Sequence, residues 1–207
     1  INNKDIKKII FIENSGYDLS FFRTLAKSNQ HKEIDIISTN SNNSFDKKLG
    51  KGYGQYLCLK EVFNSSEIFK KTNYFIDIAG RHCIKNFNSI LKDIVSNNTD
   101  IYINLSDNLK YAHCNMYGGS KKFFLDYVLP ELEKTNDTIN SIFENKIANA
   151  TLKAISDGMS LSKTPVYHDI EGHMGTNGKK YKISIFKGIK LFFFRKLKIY
   201  FFNHKKY

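Results

Sequence analysis

The stretch Gly50-Lys51-Gly52-Tyr53-Gly54, followed by a helix-length segment and then by Tyr74-Phe75-Ile76-Asp77-Ile78-Ala79-Gly80-Arg81-His82, decides how the chain is read. Three glycines alternate with Lys51 and Tyr53 just before an apolar run in which Tyr56, Leu59 and Phe63 recur at helical steps. Glycines at such a junction let backbone N–H groups approach an anion, and the helix start that follows carries partial positive charge. Lys51 adds a mobile cation, and Tyr53 a flat surface for a base or sugar. Gly80-Arg81 falls at the C-terminal end of the next strand, where open α/β sheets place their ligand crevice. Both parts suit a phosphate-bearing ligand. On glycine spacing alone, a Gly-rich surface loop and an ordinary strand-end arginine is the better reading, because short glycine patterns recur by chance.

Outward from this stretch, Lys8-Ile9-Ile10-Phe11-Ile12 reads as a buried strand and Glu13-Asn14-Ser15-Gly16 as a turn. Leu19, Phe21, Phe22 and Leu25 follow at helical spacing, then a strand at Ile34–Ser38 and a polar Ser/Asn loop from Ser38 to Lys48. The helix after the glycines is expected over Gln55–Asn64, a short helix around Ile90–Ile94, and a strand at Ile101–Leu105. Alternating strands and helix-length segments predict an α/β fold with a Rossmann-like, mainly parallel sheet. The second half is more helical. Ser120 reads as the N-cap of a helix over Lys121–Leu129 that Pro130 kinks or ends. Phe143, Ile147, Ala150 and Ala154 make the inner face of another helix, closed by Gly158. Glu171–Lys180 reads as a glycine-dense loop.

The chain has 207 residues, 41% of them hydrophobic and 14% aromatic, which suits one globular domain with a substantial core. The formal charge of +12 implies an anionic partner: a phosphorylated substrate, nucleic acid or an anionic membrane. Cys58, Cys83 and Cys114 lack metal-type spacing and read as free thiols of a reducing compartment. From Tyr181 onward, aromatic and aliphatic residues mix with lysines and no acid appears. Lys187, Lys190, Arg195, Lys196 and Lys198 interrupt the run too often for a spanning helix. Residues 182–207 therefore read as a basic amphipathic tail, either interfacial at an anionic leaflet or docked on the protein's own core. The division is a domain over 1–181 and the tail over 182–207.

The order Phe11-Ile12-Glu13-Asn14-Ser15-Gly16-Tyr17-Asp18, Gly50-Lys51-Gly52-Tyr53-Gly54-Gln55-Tyr56, and Gly80-Arg81-His82 with Asn86 resembles a group of bacterial glycosyltransferases. The group comes from lipopolysaccharide, O-antigen and capsule gene clusters, and its members look like GT-A enzymes. Further matches are Tyr117-Gly118-Gly119-Ser120-Lys121-Lys122-Phe123-Phe124, Phe143-Glu144-Asn145-Lys146-Ile147-Ala148 and Gly175-Thr176-Asn177-Gly178-Lys179-Lys180-Tyr181. The matches run from about Ile9 to Tyr181. There are departures: Gln55 stands where the group has Glu, and Asp77-Ile78-Ala79-Gly80-Arg81-His82 where it has Lys-x-x-Gly-Arg-Tyr. GT-A enzymes also open with a base-gripping strand, which the resemblance places before Ile1.

What the resemblance implies is a cytoplasmic enzyme on the inner face of the plasma membrane. It would take a sugar from a nucleotide-sugar donor and pass it to a lipid-linked glycan acceptor. Asn14, Ser15, Gly50, Lys51, Gly52, Tyr53, Gly54, Gly80, Arg81, His173 and Thr176 would meet the donor. The Asp-x-Asp metal motif is not evident. Asp77 is the one carboxylate near the expected strand, and it holds Mg²⁺ or Mn²⁺ well only if substrate phosphates supply ligands. Arg81 and Lys51 offer a metal-independent route to neutralising the leaving diphosphate. Glu144 is the candidate base, against the plainer reading of an acidic first-turn residue. Asp107 is a second candidate, against a plain turn aspartate. Two other classes compete: a sugar nucleotidyltransferase, which wants a two-carboxylate metal site, and a basic nucleic-acid-binding module. The latter predicts cations spread along a platform, whereas here they gather in the tail, so no nucleic acid is expected.

Overall fold

Runs of apolar, β-branched residues make the strands. Lys8–Glu13 (β1) and Glu33–Ser38 (β2) pair in parallel, with Ile9 opposite Ile34 and Phe11 opposite Ile36. Parallel neighbours need a crossover. Ser20–Lys27 (α1) supplies it, and its Phe22 ring stacks on Phe11 with centroids 4.4 Å apart. The computed structural model describes residues 5–162, 168–173 and 180.

Two 3-10 turns, Ser41–Asn43 and Lys47–Leu49, lead into Lys51–Ser65 (α2). This helix starts four residues earlier than the apolar period predicts, so the glycine-rich run is its first turn and not a loop. The reason is packing. A Cβ on Gly52 would meet the Thr135 methyl at 2.8 Å and the Phe143 Cβ at 3.0 Å, and one on Gly54 would meet the Phe45 ring at 3.3 Å. Gly50, at φ 87°, takes the left-handed conformation that ends the preceding turn.

At its far end α2 passes into Glu67–Lys70 (α3). Ser66 caps that short helix by accepting from the Phe69 N–H, and its hydroxyl donates to Asp35 of β2. Tyr74–Ile78 (β3) then returns beneath α2, with Phe75 stacked on Phe69 at 4.3 Å. Asn14, just after β1, and Gly80, just after β3, border one space with Lys51 at the start of α2.

His82–Ile84 (β4), Phe87–Asn97 (α4) and Ile101–Tyr102 (β5) follow. Met116–Ser120 (β6) lies between β3 and β5, antiparallel to both. Its Gly118 and Gly119 permit that close fit, since Cβ atoms there would sit 2.6 Å from the Phe75 carbonyl oxygen and 2.5 Å from the Phe123 ring. The strand predicted over Ile101–Leu105 pairs only as far as Tyr102, though Ile103 stays buried and Leu105 bridges to Ala112. Ile170–Gly172 (β7) pairs antiparallel with β4, so the predicted loop at Glu171 begins as strand.

The second half is helical, as predicted. Ser120 caps the helix start by accepting from the Phe123 N–H at 3.2 Å. Phe123–Val128 is wound as π-helix and continues through Pro130 into Leu129–Leu132 (α5). Pro130 does not end the helix, because it falls in the first turn of the α-helical part, where its missing N–H costs little. Phe143–Ser156 (α6) buries Phe143, Ile147, Ala150 and Ala154, and Gly158 at φ 92° closes it.

The core lies on both faces of β3–β6–β5. On one face Tyr56, Tyr117, Phe123, Phe124, Leu132, Phe143 and Ile147 join α2, α5 and α6. On the other, Ile84, Ile90, Ile94, Tyr102 and Met116 join α4 and β7. The architecture is α/β and Rossmann-like, and no residue of β1 or β2 is fully buried.

Candidate functional site

The start of α2 is electrostatically unusual. Gly50 gives it no side-chain cap, Lys51 adds a cation where the helix dipole is already positive, and the Asp137 carboxylate from outside the helix lies against Gly50. An anion favours that place. Asn14 approaches from the turn after β1, where Ser15 N–H at 2.8 Å and Tyr17 N–H at 3.0 Å donate to the Glu13 carboxylate. The Ser15 hydroxyl also donates to Glu13 and is the main cause of its lowered pKa. Gly80 and Arg81 arrive from the end of β3. Asn14, Lys51, Gly54, Asp77, Gly80 and Arg81 all line one cavity of about 850 Å³, a volume ordinary for ligand sites. Lys51, Gly80 and Arg81 are exposed at its mouth.

His173, one residue past β7, lies beside His82 and does not line the cavity. A Cβ on Gly172, at φ 147°, would lie 2.4 Å from the Arg81 carbonyl oxygen, so only glycine admits this approach. The pairing Lys85–Glu171, at 3.1 Å, and the Asp169 N–H donated to Asn86 at 2.9 Å fasten the same junction. His82 is held below the usual imidazole range by burial and by the Arg81 cation.

Asp77 sits opposite Tyr117 in the β3–β6 ladder. By area the residue as a whole is half-buried, while its carboxyl is enclosed. Burial pushes that carboxyl up, and the neighbouring Tyr117 hydroxyl opposes the shift. The Tyr117 hydroxyl lies beside Asp77 without closing a hydrogen bond to it. An enclosed carboxyl that resists ionising is a poor ligand for a hard cation. Among the described residues, no group of three or more His, Cys, Asp or Glu side chains is placed to hold a metal ion. Asp77 by itself does not make a metal site.

A second, more open cleft of about 560 Å³ is lined by Asp107, Glu144 and His113, with Ser106, Asn108 and Tyr111. It unites the two carboxylates singled out in the sequence, 37 positions apart. The Asp107 loop is shaped by Ser106 N–H to the Tyr111 carbonyl at 2.8 Å and by Asn108 accepting from Ser106 Oγ at 2.7 Å. Asn145 of α6 ties to the same loop by donating to the Lys110 carbonyl at 3.1 Å. Glu144 is half-buried and Asp107 exposed. Between the two cavities lies Cys114, whose thiol is pushed well up by burial and then by the nearby Glu144 and Asp77 carboxylates.

Other predicted site residues are placed elsewhere. Ser15 is engaged with Glu13, Gly52 packs against α6, and Gly50 turns the chain before α2. Tyr53 does not line the cavity. It packs against Phe45, with centroids 5.3 Å apart, and Phe45 does line the cavity. Phe45, Asn42 and Gln55 join the lining without having been anticipated, as His113 does in the second cleft. The available signal for Phe45 was a lone aromatic in an otherwise polar loop. Lys47 caps its ring at 4.8 Å and brings a third cation to this region. Cys58, Cys83 and Cys114 are free thiols, as read. Thr176 and the tail over 182–207 lie outside the described residues.

No protein-family model matches the chain, and no curated protein does. Among solved structures, the chain is similar to a nucleoside-diphosphate-sugar pyrophosphorylase from Vibrio cholerae RC9, at 13% identity and a TM-score of 0.45. The similarity covers 75% of this chain and 71% of that one, and it assigns no role to any residue here.

Proposed function

We propose that this chain is a nucleotide-sugar-dependent glycosyltransferase of surface polysaccharide synthesis, which binds the donor diphosphate at the mouth between Asn14, Lys51 and Arg81. The observation that supports this is the convergence there of a helix start without a side-chain cap and two exposed cations from separate elements. As the bond from the sugar to the diphosphate breaks, negative charge grows on the leaving oxygens. Lys51 and Arg81 would meet it with charge-assisted hydrogen bonds, and the α2 dipole would add to them. Phe45 offers a flat face to a base or sugar. Glu144, in the adjoining cleft, would take the proton of the attacking acceptor hydroxyl. The acceptor is a lipid-linked glycan at the inner face of the plasma membrane.

The second reading is a sugar nucleotidyltransferase. It is favoured by the placement of Glu144 in a cleft separate from the phosphate mouth. That mouth alone would then serve a nucleoside triphosphate and a sugar 1-phosphate.

A thermal-shift screen of nucleotide sugars tests the common part. A ligand at a hundred times its dissociation constant stabilises by about 2.7 kcal/mol. A hit should weaken roughly 10- to 100-fold in Arg81→Ala, the loss expected for one hydrogen bond to a charged group. Unchanged affinity in a folded Arg81→Ala would remove the mouth from the donor site. Pyrophosphate released from a triphosphate and a sugar 1-phosphate would select the second reading.

A further inference from the structure

The two cavities differ in charge. Lys8, Lys51 and Arg81 line the first. No lysine or arginine lines the second, although the chain holds 32 of them, while two carboxylates, Asp107 and Glu144, do. Lys110 belongs to the loop beside this cleft and still does not line it. A phosphate, a uronate or any other anion would meet like charge there at close range.

What the cleft offers is one aromatic ring among short polar groups. Tyr111 is 41% exposed and lines the cleft with Asn108, His113 and both carboxylates. A sugar ring has a matching make-up. Its C–H face is apolar and packs on an aromatic ring, while its hydroxyls both donate and accept hydrogen bonds. Carboxylates accept from such hydroxyls, and an amide or imidazole serves them as donor or acceptor. At about 560 Å³ the cleft is of ordinary size for a small-molecule site.

An aromatic ring on a surface loop binds well when the loop is already ordered, since ordering it costs affinity. This loop is fastened at its base, along its length and to α6. The His113 N–H donates to the Asn104 carbonyl at 2.8 Å, and Leu105 bridges to Ala112. The Tyr111 N–H donates to Ser106 Oγ at 3.0 Å, and the Lys110 N–H to Asn108 Oδ1 at 3.1 Å. The Ala112 N–H donates to the Glu144 carbonyl at 3.1 Å, which ties the residue after Tyr111 to the residue that carries the candidate base.

We propose that the second cleft is a sugar subsite. It seats on the Tyr111 ring a pyranose that carries no negative charge, with its hydroxyls turned to Asp107, Asn108 and Glu144. As a sugar site this rests on the cleft alone. As the acceptor's subsite it rests on the glycosyltransferase reading, and there it makes Tyr111 the residue that selects the terminal sugar of the acceptor. Any phosphate-bearing part of that acceptor stays outside the cleft.

Protein-observed NMR of the 207-residue chain with labelled tyrosine rings tests this. The probes are methyl pyranosides of gluco, galacto and manno configuration, their N-acetylated amino forms and the matching uronates. They are titrated to roughly 0.1 M, because ligands this small bind weakly. At least one uncharged pyranoside should shift the Tyr111 ring signals, and the uronate of the same configuration should bind about 10-fold more weakly. Read at the His113 amide, Tyr111→Ala should weaken binding about 10-fold, while Tyr111→Phe, which keeps the ring face, should stay within about 3-fold of the wild type. The proposal falls if no uncharged pyranoside moves the Tyr111 signals, if uronates bind as tightly, or if Tyr111→Ala binds as the wild type does. A short oligolysine that shifts Tyr111 where no sugar does would assign the cleft to a basic chain and overturn it too. The thermal-shift screen of nucleotide sugars reads the other cavity. Sugar binding here without a nucleotide-sugar hit upholds the subsite and removes the donor reading, and the reverse result removes only the subsite.

Discussion

Two carboxylates, Glu144 and Asp77, give predictions of different kinds. Glu144 is a carboxylate at the first turn of α6, and its companions Asp107 and His113 come from a loop that Asn145 holds against the helix. If it is the base, Glu144→Gln should lower turnover by roughly two to four orders of magnitude while leaving nucleotide affinity alone. Initial rates with the donor found by thermal shift decide this, and near wild-type turnover would reduce Glu144 to a helix-start residue. Asp77 acts through its burial. Its carboxyl titrates above the ordinary value, so the folded chain holds a proton that the unfolded chain has already released. Stability should therefore fall as pH rises from about 3.9 towards the raised folded value, and stay lower above it. Asp77→Asn should match the wild type in acid and exceed it at neutral pH. Melting temperatures across pH show it, and parallel profiles for the two proteins would refute the enclosed carboxyl.

At the level of elements, α2 turns on its glycines. Their spacing alone suggests a surface loop, but Gly52 and Gly54 lie inside the helix, where α6 and Phe45 press on its backbone. Replacing a helical glycine by alanine ordinarily gains up to about 1 kcal/mol. At Gly52 the added methyl would meet Thr135 at 2.8 Å and Phe143 at 3.0 Å, and overpacking costs roughly 1–3 kcal/mol. Gly52→Ala should thus lower the denaturation midpoint despite the better helix former. A raised midpoint would mean that α2 and α6 can separate freely. The π-helical turns at Phe123–Val128 are the other local departure. Their sequence, FFLDYV, carries no periodic signal different from that of an α-helix.

For the whole molecule, charge is the property with the longest reach. The described residues contain no helix long and apolar enough to cross a membrane. Residues 182–207 combine Phe186, Phe192, Phe193, Phe194, Phe201 and Phe202 with lysines and an arginine. Each cation is worth about 1 kcal/mol near an anionic surface, and salt screens it over a Debye length of about 8 Å. The protein should sediment with anionic vesicles at low salt and partly release as salt rises. Deletion after Tyr181 should abolish sedimentation and spare nucleotide binding. A full-length chain that ignores the vesicles, or a truncated one that unfolds, would place the tail in the core instead.

The sequence by itself determined the elements and their order. Apolar runs of period two and helical period locate β1, β2, β3, α4 and α6 within a few residues, because these periods record which face of a local backbone is buried. It also marked Lys51, Gly80 and Arg81, since a cation or glycine at a strand or helix end is a local feature, while Asn14 entered through the resemblance alone. Tertiary structure alone decided that those four share a cavity, that Glu144 and Asp107 line one cleft, and that Phe45 rather than Tyr53 lines the cavity. It alone showed that β1 and β3 border one cavity. Contacts across tens of residues depend on which surfaces close over one another, and a local pattern of side chains carries no record of that choice.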